Sequence, residues 1–521
     1  MAYNIANSCF GCGTCVPKCP TGAIQLENGE YWIEEGLCNN CVGYYEEPQC
    51  VIGCPNSSPI PKQAKKGRYK RVERRATSPE IFANGLNTPF ASSMVVWEAC
   101  NLLAGGEILP WKTSKEGKIV YEREVKQGRG SMTLELAEEI NKESIDIRAA
   151  CMHLIYAAYA TTLNCPWEEE FIISDQQIET YLGLDKRKDL SKAAKLTLIK
   201  TLAQQPCNIN VAIDWPDQGK MKGFYIEKSS LWELREIKHH FQEDELGCKH
   251  LIGLTFRVQT GLWAKYFLNK KGYQKRTFFY QYGTLPKFLL SGVMSIWQQH
   301  KGAARMMLWL LFKTKMGLKQ AITVPMLMRV GYGEEKIAEA HNGRDERKRL
   351  LRTYESDLQL LNNYGIKPIF DEATYQKEIQ PLWLKLAEIP DDPEAALEFW
   401  TNDSNSDSCL TDATPRGKWK MLMNARLLHF ELPPEWEQEL AKFEKRSNTH
   451  KKTSQKTKSK TISNMSAEDI VSARKDHGIS QRVLAKIIGK SQSWVRDLEN
   501  GRLQAKPEDQ GMIRKALGLV T

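Results

Sequence analysis

Long hydrophobic runs are missing from this sequence. Its longest unbroken apolar stretches, such as Met306–Phe312, span seven residues, against the roughly 20 needed to cross a bilayer as a helix. No membrane span is expected. The start, Met-Ala-Tyr-Asn, has no basic-then-apolar pattern of a secretory signal. No glycine-rich phosphate loop follows a strand, and neither a nucleophile elbow nor a dinucleotide fingerprint occurs. The expectation is a soluble, cytoplasmic chain that is not an enzyme.

Basic charge is also missing from most of the length. Residues 1–61 hold one Lys against six Glu, and residues 76–444 together carry a net charge of −2. The overall +10 therefore sits in short stretches: eight basic groups against one Glu in 62–75, seven basic groups and no acid in 445–464, and a net +3 in 465–521. Such concentration favours a polyanion partner, although charge supplies affinity and not identity.

With 521 residues, 41% of them hydrophobic, several cores can form. The pattern reads as a multidomain α+β chain. A small α+β cysteine module occupies 1–61, and a basic hinge follows at 62–75. A mainly helical central region spans 76–444. The Lys-rich stretch 445–464 reads as a flexible, self-repelling linker of about 25 Å root-mean-square reach. An all-α module at 465–521 follows it.

Eight of the 14 cysteines crowd into residues 9–54. In a reducing compartment such clustering points to metal ligands. The first motif is Cys9-x2-Cys12-x2-Cys15-x3-Cys19-Pro20, and the second is Cys38-x2-Cys41-x8-Cys50-x3-Cys54-Pro55. Two-residue gaps let one loop wrap three corners of a cube, and Gly11 and Gly13 permit the tight backbone. The first motif is the run of bacterial ferredoxins, whose fourth cysteine ligates the other cluster. By that rule Cys9, Cys12, Cys15 and Cys54 hold one [4Fe–4S] cluster, and Cys19, Cys38, Cys41 and Cys50 hold a second. Structural zinc is the alternative, since C-x2-C pairs also build zinc ribbons, but two quartets each closed by C-x3-C-P fit it poorly. The eight-residue loop 42–49 of the second motif, with Tyr44, Tyr45, Glu46 and Glu47, either shields or exposes one cluster edge.

Residues 466–517 read as four short helices. Ile470 and Ala473 face inward on the first, and Val483, Leu484, Ile487 and Ile488 on the second, which Ser480 caps. Ser491 caps the third, with Val495 and Leu498 inward, and Pro507 opens the fourth. Residues 480–502 resemble the helix-turn-helix of the phage-repressor/XRE family. That likeness makes the third helix the recognition helix in the major groove of double-stranded DNA, with Gln492, Ser493 and Arg496 as base-reading candidates. Gln481 matches the family's phosphate-contacting glutamine, and Arg502 and the linker lysines would meet phosphates. Ser491 and Trp494 complete the candidate set, Trp494 packing either on the bundle or on the sugar–phosphate edge.

The centre is less informative. Two stretches, about 170–230 and 300–372, look like winged-helix units. In the first, Ser174 opens a helix ending at Leu182-Gly183, a helix follows from Leu190 to Gln204, and Ile209, Val211 and Ile213 begin a hairpin returning through Tyr225-Ile226. In the second, a long helix from Asp345 to Asn362 carries Leu351, Tyr354, Leu358 and Leu361 on one stripe, and a strand follows at Ile366–Phe370. The layout is loosely like the doubled winged helices of plasmid replication initiators, and the −2 net charge favours a scaffold over an independent DNA grip. His239, His240, Cys248 and His250 fit no metal spacing and read as a surface cluster. Cys100, Cys151, Cys165, Cys207 and Cys409 read as buried small apolar residues.

A two-cluster ferredoxin module joined to an XRE-type domain resembles the cyanobacterial PatB/CnfR family of transcriptional activators. That resemblance implies control of nitrogen-fixation genes under low oxygen, with the clusters as the oxygen- or redox-sensitive element. The expected partners are promoter or operator DNA, a second copy of the chain in a homodimer, and RNA polymerase. The competing reading is a ferredoxin-like electron-transfer protein with an appended docking or DNA-binding module.

Overall fold

The computed structural model describes residues 2–27, 29–62, 76–105, 108–113, 118–125, 128–137, 142–219, 221–243, 248–316, 321–405, 415–434, 436, 466–503, 505 and 507–517. The linker 445–464, and the hinge beyond Lys62 up to residue 75, lie outside them. The structure is mixed, 45% helical and 23% strand. It divides into two compact units, Met1–Glu439 and Leu440–Thr521.

In the first unit the N-terminal module is closed by its own ends. Strand β1 (Tyr3–Ile5) pairs antiparallel with β4 (Pro59–Pro61), Tyr3 opposite Pro61. Between them lie the hairpin β2 (Ile24–Glu27) and β3 (Glu30–Ile33), with Ile24 opposite Ile33, and the short helix α1 (Gln49–Ile52). Ile5, Ala23, Ile24 and Ile33 form a small core with Cys15 and Cys50. The β1–β4 pairing brings the end of the second cysteine motif beside the start of the first.

The central region opens with β5 (Asn87–Ala91), α2 (Met94–Gly105), β6 (Lys112–Thr113), β7 (Ile119–Val125) and β8 (Gly130–Leu136). Helix α3 (Ala149–Thr162) is apolar on nearly every side and buried along its length, as a helix at the centre of a large core must be. Then come β9 (Glu170–Ser174), α4 (Asp175–Leu182) and α5 (Lys192–Gln204). A capping box joins Ser174 to Gln177 at the start of α4, and Gly183 ends it in the left-handed region.

The hairpin β10 (Ile209–Trp215) and β11 (Phe224–Ser230) forms where the alternation places it, but it joins a five-stranded sheet of order β11-β10-β8-β7-β6. The strands that pair with β9 come later. They are β12 (Trp232–Glu243) and β13 (Lys249–Thr260), in the order β12-β13-β9. The order α3, β9, α4, α5, β12, β13 thus runs past residue 230, with β10–β11 inserted before the β12–β13 hairpin.

After α6 (Trp263–Phe267), α7 (Lys270–Gln274), β14 (Tyr282–Pro286, paired with β5) and α8 (Lys287–Ile296), the order repeats. It runs through α9 (Lys301–Met316), β15 (Ile322–Thr323), α10 (Val324–Asn342), α11 (Arg344–Asn363), β16 (Lys367–Phe370) and β17 (Arg426–Glu431). The sheet order β15-β17-β16 again places the last strand between the other two. Helices α12 (Leu382–Leu386), α13 (Pro393–Ser404) and α14 (Lys418–Asn424) interrupt this second hairpin, so the repeat closes at Glu431, well past residue 372. One continuous core from Ile81 to Trp436 unites the whole region.

The second unit contains α15 (Ala467–Asp476), α16 (Gln481–Ile487), α17 (Gln492–Glu499) and α18 (Pro507–Ala516). Ser466, Ser480 and Ser491 each accept a backbone N–H at the third helical position. Leu484 and Ile488 are buried with Ile470, Val495, Leu498 and Ile513. Val483 and Ile487 differ from expectation: they are 45% and 56% exposed. They lie one residue, or 100°, off the inward stripe, and so small a bundle covers a single stripe only.

Candidate iron–sulfur and DNA-binding sites

The module gathers its eight cysteines around two cavities. Cys9, Cys12, Cys15 and Cys54 line one, together with Ile5, Tyr31 and Pro59. Cys19, Cys38, Cys41 and Cys50 line the other, with Tyr3, Ile24 and Ile33. Each motif thus sends its last cysteine to the other motif's cavity. Gly13 makes the first loop possible: its φ is +71°, and a Cβ there would stand 2.8 Å from the Tyr31 hydroxyl.

The donor set suits an iron–sulfur cluster. All eight cysteines are free, and all-thiolate coordination is what a [4Fe–4S] cluster takes. Burial and the neighbouring Cys38, Cys41 and Cys19 push the Cys50 thiol up to about 11. Cys15 is raised by burial and by Cys9, Cys54 and Cys12. Four sulfurs this close repel one another as thiolates, and a cationic centre relieves that repulsion.

Hydrogen bonds reach the sulfurs. Thr14 Oγ1 donates to Cys12 Sγ at 3.2 Å, which holds the Cys12 thiol below its ordinary range. The Ser58 backbone N–H donates to Cys54 Sγ at 3.4 Å, and Thr21 Oγ1 lies 3.6 Å from Cys19 Sγ. Tyr44 and Tyr45 of the 42–49 loop are exposed and line neither cavity.

Sequence reasoning missed how the module is held. Strand β3 has two faces, as period-two alternation requires. Tyr31 and Ile33 line the two cavities, while Trp32, and Glu34 just beyond the strand, face the central region. Glu34, 2% exposed, accepts from Thr197 Oγ1 at 3.0 Å and Lys200 Nζ at 3.1 Å, both on α5. Trp32, 3% exposed, packs against His239 and Phe241 of β12, each ring centroid 5.1 Å away. Glu27 lies 2.8 Å from His239 Nδ1, and Glu30 pairs with Lys249 of β13. Gly36 approaches α5 so closely that a Cβ would meet the Thr197 hydroxyl.

The histidine cluster is therefore interior, not a surface group. His240, His250 and Cys248 are buried, and His240 Nε2 lies 2.7 Å from Thr255 Oγ1. Among the described residues no group of three or more His, Cys, Asp or Glu could hold a single metal ion. Cys100 and Cys151 are buried, Cys165 and Cys207 are half-buried, and Cys409 lies outside the described residues.

In the C-terminal unit the outer face of α17 carries Gln492, Ser493 and Arg496, all exposed. Arg482 donates to Gln492 Oε1 at 3.3 Å, and the Ser491 and Ser493 hydroxyls lie 3.0 Å apart. Trp494 is half-buried on the bundle, with Lys490 Nζ 5.3 Å from its ring centroid. Gln481 donates to Glu499, which also takes two hydrogen bonds from Arg474. The Gln481 side chain thus braces α16 against α17 instead of standing free. Arg502 is exposed just past the end of α17. No helix among the described residues is long and apolar enough to cross a membrane.

Comparisons with known proteins agree with this division. A family model for a 4Fe-4S binding domain matches residues 3–25, and one for a helix-turn-helix matches residues 470–519. A ferredoxin-like protein in the nif region of Nostoc sp. is 53% identical over 57 residues, 11% of this chain and 49% of that protein. The chain thus spans about half the length of this relative, and the same holds for its counterpart in Trichormus variabilis, 49% identical. Ferredoxin-2 of Chlorobaculum tepidum is 44% identical over 55 residues, 11% of this chain and 89% of that protein. A crystal structure of RctB domains 2–3 aligns with 50% of this chain and 83% of that chain at 10% identity, with a TM-score of 0.28. That likeness is too slight to show a common fold. Residues 470–519 form a helix-turn-helix domain of the DNA-binding kind, and through its N-terminal, 4Fe–4S-binding module the chain belongs to the ferredoxin family.

Proposed function

We propose that this protein is an oxygen- or redox-responsive transcriptional activator of nitrogen-fixation genes, acting at low oxygen through two [4Fe–4S] clusters and a C-terminal reading helix. The relatives that carry "nif region" in their names support the pathway, and the PatB/CnfR resemblance supports the class. The observation that carries the reading is the double-faced strand β3. Its Tyr31 and Ile33 wall the two cysteine cavities, while Trp32 and Glu34 beside them hold α5 and the β12–β13 hairpin.

Cys9, Cys12, Cys15 and Cys54 would hold one cluster, and Cys19, Cys38, Cys41 and Cys50 the other. A bound [4Fe–4S] cluster supplies one-electron redox chemistry and sensitivity to oxygen. The chain's own part follows from its connectivity. Because each motif lends one cysteine to the other quartet, disturbing either quartet loosens both loops, and metal binding and local folding are coupled. Loosened loops would release the Tyr31 and Ile33 side of β3, and Trp32 and Glu34 would lose their fixed register on α5. Gln492, Ser493 and Arg496 would read base edges, with Arg502 on phosphate. A homodimer would present two such helices to a promoter and engage RNA polymerase.

The test compares promoter binding and transcription by anaerobically reconstituted protein before and after air exposure. The expected result is loss of transcription output after air, together with loss of iron and sulfide. Equal affinity and equal output in both samples would remove the sensing role. Gln492→Ala with Arg496→Ala should abolish output while leaving cluster redox chemistry unchanged. Loss of electron delivery instead would favour the electron-transfer reading.

A further inference from the structure

We propose that the outer face of α11, carrying Arg344, Lys348, Arg349 and Arg352, is a second duplex-DNA contact surface that grips the phosphate backbone. The proposal rests on the reading of this chain as a DNA-binding protein, but concerns a different surface from α17.

The first support is topological. The central region writes the same order twice, and α5 and α11 hold corresponding places as the last helix before the hairpin sheet. In helix-turn-helix proteins this is the helix that enters the major groove. The two differ in how their basic groups are used. On α5, Lys192 is paired with Asp175 and Glu179, Lys195 is buried, and Lys200 is held by Glu34 of the N-terminal module. Carboxylates already stand where phosphates would lie, so that face is closed.

On α11 the inward side is apolar, with Leu350, Tyr354, Leu358 and Leu361 buried. Arg344, Lys348, Arg349 and Arg352 are exposed, and none has a carboxylate partner among the described residues. Arg347 is used differently, donating to the carbonyls of Ala340 and His341 and lying over the Trp419 ring, which fixes the start of the helix. Asp345 and Glu346 fall in the first turn, where the helix dipole favours carboxylates.

The spacing suits a duplex. From Arg344 to Arg352 the helix rises about 12 Å at 1.5 Å per residue, close to the major-groove width of about 12 Å. Side chains at the two ends of the stripe would reach opposite walls of the groove. Three of the four are arginines, whose planar fork binds phosphate with two parallel hydrogen bonds. The −2 net charge of residues 76–444 conceals this face because the compensating acids are elsewhere. Residues 386–403 alone hold six carboxylates and no basic group.

The experiment uses the full-length, anaerobically loaded chain and a short duplex of arbitrary sequence, with binding followed by fluorescence anisotropy across a salt series. Removing one cation from a phosphate lowers the salt slope by about 0.9. Lys348→Gln with Arg352→Gln should therefore cut the slope by roughly 2 and weaken binding roughly tenfold at moderate salt. Lys348→Arg should keep both values. In the unsubstituted chain, duplex should protect Lys348 from an amine-acylating reagent, a readout that needs no variant. Unchanged slope and affinity in the double variant, or no protection of Lys348, would overturn the proposal. So would α11-dependent binding that prefers single-stranded RNA to duplex DNA. Gln492→Ala with Arg496→Ala separates the two readings. If these remove sequence preference while the α11 variant changes nothing, the α17 assignment stands and α11 falls; the opposite pattern retains α11 alone.

Discussion

Thr14 places its hydroxyl on Cys12 Sγ, and a hydrogen bond to a ligating sulfur stabilises the more negative, reduced form of a cluster. Thr14→Val should therefore lower the potential of the Cys9–Cys12–Cys15–Cys54 site without lowering its iron content, as measured by a redox titration beside an iron count. A second residue makes stability depend on pH. His153 is fully buried, with Nε2 2.9 Å from the Val96 carbonyl and Nδ1 accepting from Trp232 Nε1 at 2.9 Å. That arrangement needs the neutral ring, and burial pushes its pKa down to about 4. An unfolded imidazole titrates near 6.5. Stability is therefore full above 6.5, falls as the unfolded chain takes up the proton, and levels off near 4. The total loss is about 3 kcal/mol. His153→Gln should be less stable at neutral pH by about 1–3 kcal/mol, and its melting temperature should fall less steeply between pH 6.5 and 4. Comparing the two proteins cancels the acid lability that both share. Three sulfurs of each cavity are legible from local loop spacing, and the fourth only through the ferredoxin pattern, since the β1–β4 pairing brings the two motifs together. His239, His240 and His250 were not legible, since their burial comes from a hairpin and a distant module that no local pattern announces.

Trp32 and Glu34 act as one element, the body-facing side of β3 and its exit. Trp32→Ala removes a buried ring from between His239 and Phe241, at about 3–5 kcal/mol. Glu34→Gln leaves Lys200 without its counter-charge at a site only 17% exposed, at about 2–4 kcal/mol. Both variants should still bind iron, because neither side chain lines a cavity. Both should also speed hydrogen exchange in α5 and β12 by at least tenfold, and normal protection in those elements would show that the contact is not a coupling element. The helices α4 and α5 could be read from the Ser174 opening, from Gly183 and from the helical pattern of Leu190 to Gln204, and β10–β11 from its alternation. The partner of β9 could not. Thr255 and Ser174 pair across 81 residues, and nothing local distinguishes that pairing from the nearer hairpin. Val483 and Ile487 failed for a related reason: a continuous apolar stretch does not say how many stripes a small bundle can cover.

At the scale of the whole molecule, the two compact units have separate cores, one from Ile81 to Trp436 with the small module docked on it, and one from Ile470 to Leu517. Separate cores imply separate unfolding transitions. Cys9→Ser and Cys38→Ser each remove one thiolate from one quartet, and each should lower the melting transition of the first unit by several degrees while leaving that of the second unchanged. This follows because Leu484, Val495 and Ile513 belong to a core of their own. The same variants separate a sensor from a passively stabilised DNA binder. A clusterless chain whose C-terminal bundle melts normally retains Gln492, Ser493 and Arg496 on a folded helix, so any lost promoter output must come from the first unit's state and not from a damaged reading head. If output instead followed protein abundance alone, with oxygen dependence intact in the residual fraction, the clusters would serve the fold, and β3 would be a strut with no part in signalling.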